Sequence, residues 1–144
     1  MKSGENKYPL LESVHPTECL GFRINRISRV LNKIYRSHLK ELKITLSQLN
    51  ILFALGKNKD IYQTEVAQFL KLDPSTLTRD LERLIAKGYV QKSGYANKPT
   101  LNLTKSGYVY LEKVIPYWQK AQEEAKKFVG KEGISSINFL IENI

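Results

Sequence analysis

The 144-residue chain has a single cysteine, Cys19, and lacks any long apolar segment. One cysteine excludes an intramolecular disulfide and a metal site built from several cysteines, and it fits a reducing compartment. No apolar run approaches the roughly 20 residues that span a bilayer, and the N-terminus has no apolar stretch of the secretory type. These absences predict a cytoplasmic protein with no membrane partner.

Motifs of enzymes and metal sites are also missing. The sequence has no nucleophile elbow, no glycine-rich loop for phosphate and no paired carboxylates in a recognised arrangement. Its two histidines, His15 and His38, are far apart and have no second ligand at a metal-binding spacing. We therefore expect no enzymatic activity, no metal and no cofactor.

Acidic residues are few relative to basic ones. There are 14 Asp and Glu against 23 Lys and Arg, which gives a formal net charge of +9. This balance favours a polyanionic partner, with nucleic acid first and an acidic membrane surface second. A basic surface kept only for solubility is the plain alternative. The chain length suits one domain, and 42% hydrophobic residues suffice for a globular core.

The stretch Tyr62–Thr104 carries the clearest functional pattern. A helix is predicted over Thr64–Leu70, because apolar residues recur there at helical spacing. The segment Lys71-Leu72-Asp73 is long enough only for a tight turn, and its Asp73 followed by Pro74 predicts the N-cap and first residue of a second helix. Gly88 is a typical C-terminal stop. Two helices joined by a three-residue turn form a helix-turn-helix.

Two short strands are predicted after the second helix. They cover Tyr89–Lys92 and Thr100–Leu103, separated by a loop over Ser93–Pro99, and Ile61-Tyr62 is a candidate third strand. The pair forms a β-hairpin, or wing. Helix-turn-helix and wing together predict a winged-helix DNA-binding protein, with the second helix as the recognition helix in the major groove.

The recognition helix is amphipathic, with Leu77, Leu81, Leu84 and Ile85 on one face. Hydroxyls and a guanidinium on its other face can bond base edges and phosphates. Arg79 is the leading base contact, with an ion pair to Glu82 as the alternative. One of the hydroxyls could instead accept a hydrogen bond from a free N–H group at the helix N-terminus. Arg83, Lys92 and Lys98 are phosphate contacts or solvated charges. The candidate DNA-binding residues are Ser75, Thr76, Thr78, Arg79, Arg83, Lys92 and Lys98.

Helices are predicted on both sides of this lobe. The predicted helix Cys19–Lys43 has an apolar stripe on one side and a basic stripe on the opposite side. The basic stripe is either a solvated face or a surface that contacts phosphate or a partner chain. In Thr45-Leu46-Ser47-Gln48-Leu49 a capping serine is predicted to start the next helix. Thr104 is predicted to cap a long helix that Pro116 kinks, with breaks at Gly130 and Gly133. Residues 1–12 have no clear period and are predicted to form a mobile arm.

The last residues form an apolar stripe that a small domain cannot cover, so burial against a second copy is expected. A two-fold dimer would meet two half-sites roughly 34 Å apart on a pseudo-palindromic operator. The predicted fold is mainly α with a small β-hairpin wing (α+β). One domain over residues 1–144 would comprise a DNA-binding lobe at about 45–104 and dimerisation helices at about 17–44 and 105–144.

Five segments of the chain carry a resemblance to a known family in their order and spacing. They are Thr45-Leu46-Ser47-Gln48-Leu49, Thr64-Glu65-Val66-Ala67, Asp73-Pro74-Ser75-Thr76-Leu77-Thr78-Arg79, Leu84-Ile85-Ala86-Lys87-Gly88-Tyr89-Val90 and Leu103-Thr104-Lys105-Ser106-Gly107. On these segments the chain resembles the MarR/SlyA family of bacterial and archaeal transcription regulators over about Phe22 to Phe128. The resemblance implies a homodimer built from the first helix and the last two. It also implies that a small anionic or phenolic ligand loosens DNA contact, as in a repressor released by its effector.

The wing departs from the family pattern. The family commonly has D-x-R before the closing Leu-Thr, with the arginine in the minor groove, whereas this chain has Tyr95-Ala96-Asn97. Minor-groove reading by a guanidinium therefore does not carry over.

Two alternatives to a ligand-released DNA-binding repressor stay open at this point. One is a winged-helix module that contacts proteins. The other is a thiol-based redox sensor using Cys19, since hydroperoxide-sensing relatives have a reactive cysteine near the start of the first helix. The family alignment places Gly21 at that position, which favours a partly buried, inert Cys19 thiol.

Overall fold

A computed structural model describes residues 7–144. The chain divides into two compact units, Met1–Lys33 and Ile34–Ile144, which are described separately. Within the described range, no helix is long and apolar enough to cross a lipid bilayer.

The first unit contains a one-turn helix α1 (Pro9–Ser13), a 3-10 turn (Pro16–Glu18) and the beginning of α2 (Leu20–Leu39). The first six residues of the predicted arm lie outside the described residues, and α1 begins within the rest of it, at Pro9. Five apolar side chains of α2 in this unit are exposed. They are Leu20, Phe22, Ile24, Ile27 and Val30.

The second unit contains the end of α2 and a short 3-10 turn followed by the winged lobe and a long last helix. Its elements are the turn Lys40–Leu42, α3 (Leu46–Lys57), β1 (Ile61–Tyr62), α4 (Gln63–Leu70), α5 (Pro74–Ala86), β2 (Val90–Tyr95), β3 (Lys98–Leu103) and α6 (Lys105–Ile141). The strands form an antiparallel sheet in the order β1-β3-β2. The mainly α fold with a small hairpin is confirmed.

The core of the second unit lies between α3, α5 and one face of the sheet. Alternation along a strand places every second side chain on that face, so Val90 pairs with Leu103 and both are buried. Leucines at helical spacing in α3 and α5 pack against them. The fully buried members include Leu49, Leu52, Leu55, Leu77, Leu81, Leu84 and Leu101.

The helix caps differ from two predictions. Thr45, and not Ser47, caps α3: its Oγ1 accepts from the Gln48 N–H at 3.1 Å, while the Gln48 side chain accepts from the Thr45 N–H at 3.3 Å. The Asp73 side chain makes no capping hydrogen bond to α5, and its carboxylate accepts from Ser75 Oγ at 3.5 Å. The predicted Thr104 cap is confirmed, with the Gly107 N–H donating to Oγ1 at 3.0 Å.

The hairpin is longer than predicted. Its strands continue to Tyr95 and start again at Lys98, so the loop is only Ala96-Asn97. Gly94 and Pro99 look like loop residues in the sequence, yet they lie directly opposite each other in the ladder. Gly94 adopts a φ of +83°, which a residue with a Cβ rarely adopts, and so keeps the strand paired.

The predicted break of α6 at Gly130 is confirmed and the one at Gly133 is wrong, while Pro116 keeps helical backbone angles. The residue of α6 with non-helical backbone angles is Gly130, at φ 74° and ψ 168°. Gly130 reaches a positive φ without steric cost, so the break falls there.

Candidate nucleic-acid interface

Helices α4 and α5 form the predicted helix-turn-helix. The turn between them begins at Lys71, whose φ of 53° is left-handed, and the Leu72 N–H donates to the Ala67 carbonyl at 3.0 Å. Val66 of α4 and Leu77 of α5 are both fully buried, so the two helices pack against the same core. Ile85 departs from the predicted apolar face, since 37% of its surface is exposed.

The C-terminus of α5 directs the chain into the wing. The Tyr89 N–H donates to the Leu84 carbonyl and the Gly88 N–H to the Ile85 carbonyl. This is a Schellman motif, and Gly88 supplies its left-handed residue with φ +80°. The predicted stop at Gly88 thus sets where β2 begins.

The outward face of α5 carries most of the predicted DNA-binding residues. Ser75, Thr78, Arg79 and Arg83 are exposed, and Thr76 is half-buried. Among the described residues, no ion pair or hydrogen bond involves Arg79, so the alternative pairing with Glu82 does not form. The Arg79 guanidinium keeps all its donors available.

The hydroxyls near the start of α5 are partly engaged. Thr78 Oγ1 donates to the Pro74 carbonyl at 2.9 Å and accepts from Gln63 Nε2 at 3.3 Å. Ser75 donates only the long bond to Asp73. Gln63, the first residue of α4, therefore places a side-chain amide beside the recognition helix.

Arg83 lies next to a residue that sequence reasoning missed. Its Nη1 is 3.8 Å from Oδ1 of Asp80, which is only 8% exposed. The signal in the sequence is an acid three residues after Leu77, on the face that the periodicity assigns to the core. A carboxylate at such a position needs partners from another element.

The wing carries the other two predicted residues. Lys92 is exposed on β2. Lys98 lies at the start of β3 with Nζ 4.2 Å from the centre of the Tyr62 ring. Tyr95, across the ladder from Lys98, is 82% exposed at the tip. Residues 90–103 include no Asp or Glu, so the wing presents only positive charge.

Tyrosine contacts fasten this lobe to α6. The rings of Tyr89 and Tyr110 stack with centroids 4.1 Å apart, and the Tyr110 hydroxyl donates to the Leu42 carbonyl at 2.5 Å. Burial, and then the neighbouring Tyr89, raise the pKa of Tyr110 to about 12. Gly107 passes so close to Tyr89 that an added Cβ would lie 2.1 Å from the Tyr89 carbonyl oxygen. The start of α6 thus packs tightly against Tyr89, which follows α5.

The remaining candidates lie outside this face. Cys19 is exposed, so the expectation of a partly buried thiol is wrong; this residue lies between the 3-10 turn and α2. His38 Nε2 contacts Glu124 Oε2 at 2.6 Å, which is an ion pair or hydrogen bond and not a metal site. In the part of the chain described by the structure, no three His, Cys, Asp or Glu side chains group as metal ligands.

A recognition helix with an unpaired arginine, followed by a basic hairpin, defines a winged helix-turn-helix protein. The sequence of residues 42–95 matches the family model described as MarR family. An uncharacterised HTH-type transcriptional regulator of Bacillus cereus is 26% identical over 94 residues, which are 65% of this chain and 64% of that protein. This chain thus spans slightly less than two thirds of that relative.

Two further comparisons cover more of the chain. The multiple antibiotic resistance protein MarR of Escherichia coli K12 is 24% identical over 129 residues, 87% of this chain and 90% of that one. A mutant MarR from E. coli complexed with operator DNA superposes with a TM-score of 0.75 at 23% identity, over 89% of this chain and 94% of that chain.

The structure of Bordetella bronchiseptica BpsR, whose DNA binding is regulated by 6-hydroxynicotinic acid, superposes with a TM-score of 0.80 at 21% identity, covering 90% of this chain and 96% of BpsR. At these identities the superpositions establish the fold. Taken with the family match over residues 42–95, they show a winged helix-turn-helix protein similar to the MarR family, which confirms the resemblance predicted from the sequence. These matches are regulators and not enzymes, which confirms the expectation that the chain is not an enzyme.

Proposed function

We propose that this protein is a dimeric, sequence-specific regulator that binds double-stranded DNA and acts as a repressor released by a small molecule. The observation that carries the DNA-binding part is the exposed Arg79 guanidinium, which forms no ion pair with any residue from 7 to 144. An unpaired guanidinium on a recognition helix can bond O6 and N7 of a guanine, the commonest specific contact in the major groove. Ser75 and Thr76, one turn before it, are close enough to serve bases or phosphates.

Phosphate contacts position such a helix on the duplex. In this proposal Arg83 supplies one from α5, and Lys92 and Lys98 supply two from the wing. The wing lacks the arginine that the family resemblance leads one to expect, so its contribution is mainly electrostatic. The net charge of +9 supports attraction to DNA that weakens steeply as salt is added.

Unburied apolar surface supports the dimer. In the second unit, the last turns of α6 and the residue that ends the chain expose Phe139, Leu140, Ile141 and Ile144 by 66%, 53%, 59% and 72%. The start of α2 in the first unit is likewise exposed. Exposed apolar patches of this kind mark interfaces, and a second copy with two-fold symmetry covers the same patch on both chains. Such a dimer would place two recognition helices roughly 34 Å apart on a pseudo-palindromic operator.

Release by a small effector is supported by the relative BpsR, whose DNA binding 6-hydroxynicotinic acid regulates. We extend the effector-controlled mode of action, and not that compound, to this chain. Action on chromosomal DNA also supports a cytoplasmic location.

The test is a mobility shift with intergenic DNA that flanks the gene of this protein, against a scrambled duplex of equal base composition. We expect a shift of the intergenic duplex at a protein concentration at least about tenfold lower than for the scrambled one, because specific binding exceeds non-specific binding widely. Absence of any shift at low salt would favour the alternative winged-helix module for protein contacts. Equal shifts of both duplexes would contradict sequence specificity.

A further inference from the structure

Asp80 is a buried carboxylate on the recognition helix. It is 8% exposed and lies on α5 next to the buried Leu77, Leu81 and Leu84. Burying a charge is costly unless hydrogen bonds replace the lost water. Two residues of another helix provide these bonds.

Both partners of Asp80 lie in the first turn of α3. Ser47 Oγ donates to Oδ2 at 3.0 Å, and Gln48 Nε2 donates to Oδ1 at 3.4 Å. The Gln48 amide has a fixed orientation, because its oxygen accepts from the Thr45 N–H in the capping box. Its NH₂ group is therefore directed at Asp80. The cap of α3 and the carboxylate of α5 form one network.

The same carboxylate reaches the outer surface of α5. Its Oδ1 is 3.8 Å from Nη1 of Arg83, and the Arg83 side chain is 58% exposed whereas that of Asp80 is 11% exposed. One oxygen of Asp80 thus faces both the buried Gln48 and an arginine that solvent, or DNA, can reach. The connection runs from α3 through Asp80 to Arg83.

We propose that Asp80 is a positioning residue for DNA binding, which joins α5 to the start of α3 and holds the Arg83 guanidinium in the orientation that meets a phosphate. This inference rests on the proposed function. It makes a prediction opposite in sign to plain electrostatics. Removing an acidic charge raises the net positive charge by one unit, which by itself strengthens attraction to DNA. If Asp80 positions Arg83, removing the charge of Asp80 weakens DNA binding instead.

The experiment measures the affinity of the full chain for the duplex that the wild-type chain selects from a random-sequence pool. Asp80→Asn is compared with Glu82→Gln, an equal charge change on the exposed side of the same helix. We expect Asp80→Asn to weaken binding about 5- to 10-fold and Glu82→Gln to leave it equal or up to about 3-fold tighter. In an Arg83→Ala background, Asp80→Asn should add less than about a 2-fold loss, because its effect passes through Arg83.

Two results would overturn the inference while leaving DNA binding intact: tighter binding by Asp80→Asn, or an equal loss with and without Arg83. If circular dichroism shows that Asp80→Asn is unfolded at the assay temperature, Ser47→Ala replaces it, since this variant removes one anchor and keeps the carboxylate. We then expect a loss of about 2- to 5-fold that Arg83→Ala abolishes, and unchanged affinity contradicts the inference. A wild-type chain that selects no duplex refutes the proposed function itself.

Discussion

The ammonium group of Lys98 lies over the ring of Tyr62, with Nζ 4.2 Å from the ring centre. Tyr62 belongs to β1 and Lys98 starts β3, so this cation–π contact links the tip of the hairpin to the strand that precedes α4. A residue predicted only as a phosphate contact thus also contributes to the wing itself.

Replacing Lys98 is therefore expected to have two effects. Lys98→Ala should lower the free energy of unfolding by about 0.5–1 kcal/mol, the usual contribution of an exposed cation–π pair. It should also reduce the salt dependence of DNA binding by about one unit of slope. Lys92→Ala, which removes the same charge from the opposite strand, should show only the second effect. Equal stability of the two variants in urea denaturation would argue against the Tyr62 contact.

A methyl group at Gly107 should disturb the junction of wing and α6. An added Cβ would lie 2.1 Å from the Tyr89 carbonyl oxygen, a backbone atom that cannot rotate away. Gly107→Ala should destabilise the protein by about 1–3 kcal/mol, although alanine favours a helix. Gly21→Ala in α2 is the control, since its Cβ would meet only Cys19 Sγ at 3.7 Å, an ordinary contact distance. Chemical denaturation should show Gly21→Ala as neutral or stabilising, and similar losses in both variants would be inconsistent with a clash at Tyr89.

Tyr110 should make stability depend on pH in the alkaline range. Its pKa is raised to about 12 in the folded chain from the ordinary value of 10.0, so the folded state favours the neutral phenol. The stabilising contribution is complete below pH 10 and is lost as the pH rises from 10 towards 12. The melting temperature of the wild type should fall over this range more steeply than that of Tyr110→Phe. Parallel curves would show that Tyr110 does not contribute.

The end of α6 should determine the oligomeric state. Ile141 is 59% exposed in the single chain, and an interface between two copies would bury it. Ile141→Glu should therefore produce a monomer in sedimentation velocity, because a charge cannot be buried there without a partner. Val109→Glu, at a 65% exposed position near the start of α6, is the control and should stay dimeric. A dimer in both variants would place the interface elsewhere.

The sequence predicted those features that depend on local periodicity. The helix-turn-helix, the Gly88 stop and the Thr104 cap each follow from a few neighbouring residues, and the structure confirms them. The recognition helix and the wing also follow from the local pattern, whereas the family resemblance added the first and last helices as the dimer interface and the small effector.

Features that depend on a distant partner escaped prediction. The burial of Asp80 requires Ser47 and Gln48, which lie 33 and 32 residues earlier in the chain. Ser47 itself looked like a helix cap because serine favours that position, but its hydroxyl is used by Asp80 and Thr45 caps the helix. The hairpin is likewise longer than predicted because Gly94 pairs with Pro99 across the ladder. No local pattern carries this information.

The central claim is that the outward face of α5 reads DNA, and Arg79 tests it most directly. Fluorescence anisotropy with the selected duplex would compare the wild type with Arg79→Ala and with Lys113→Ala, which removes one exposed charge from α6. We expect Arg79→Ala to weaken binding about 5- to 150-fold, equivalent to about 1–3 kcal/mol, and to relax base preference at one position of each half-site. Lys113→Ala should lower affinity by less than about 3-fold. Equal, small losses in both variants, with base preference unchanged, would contradict the claim.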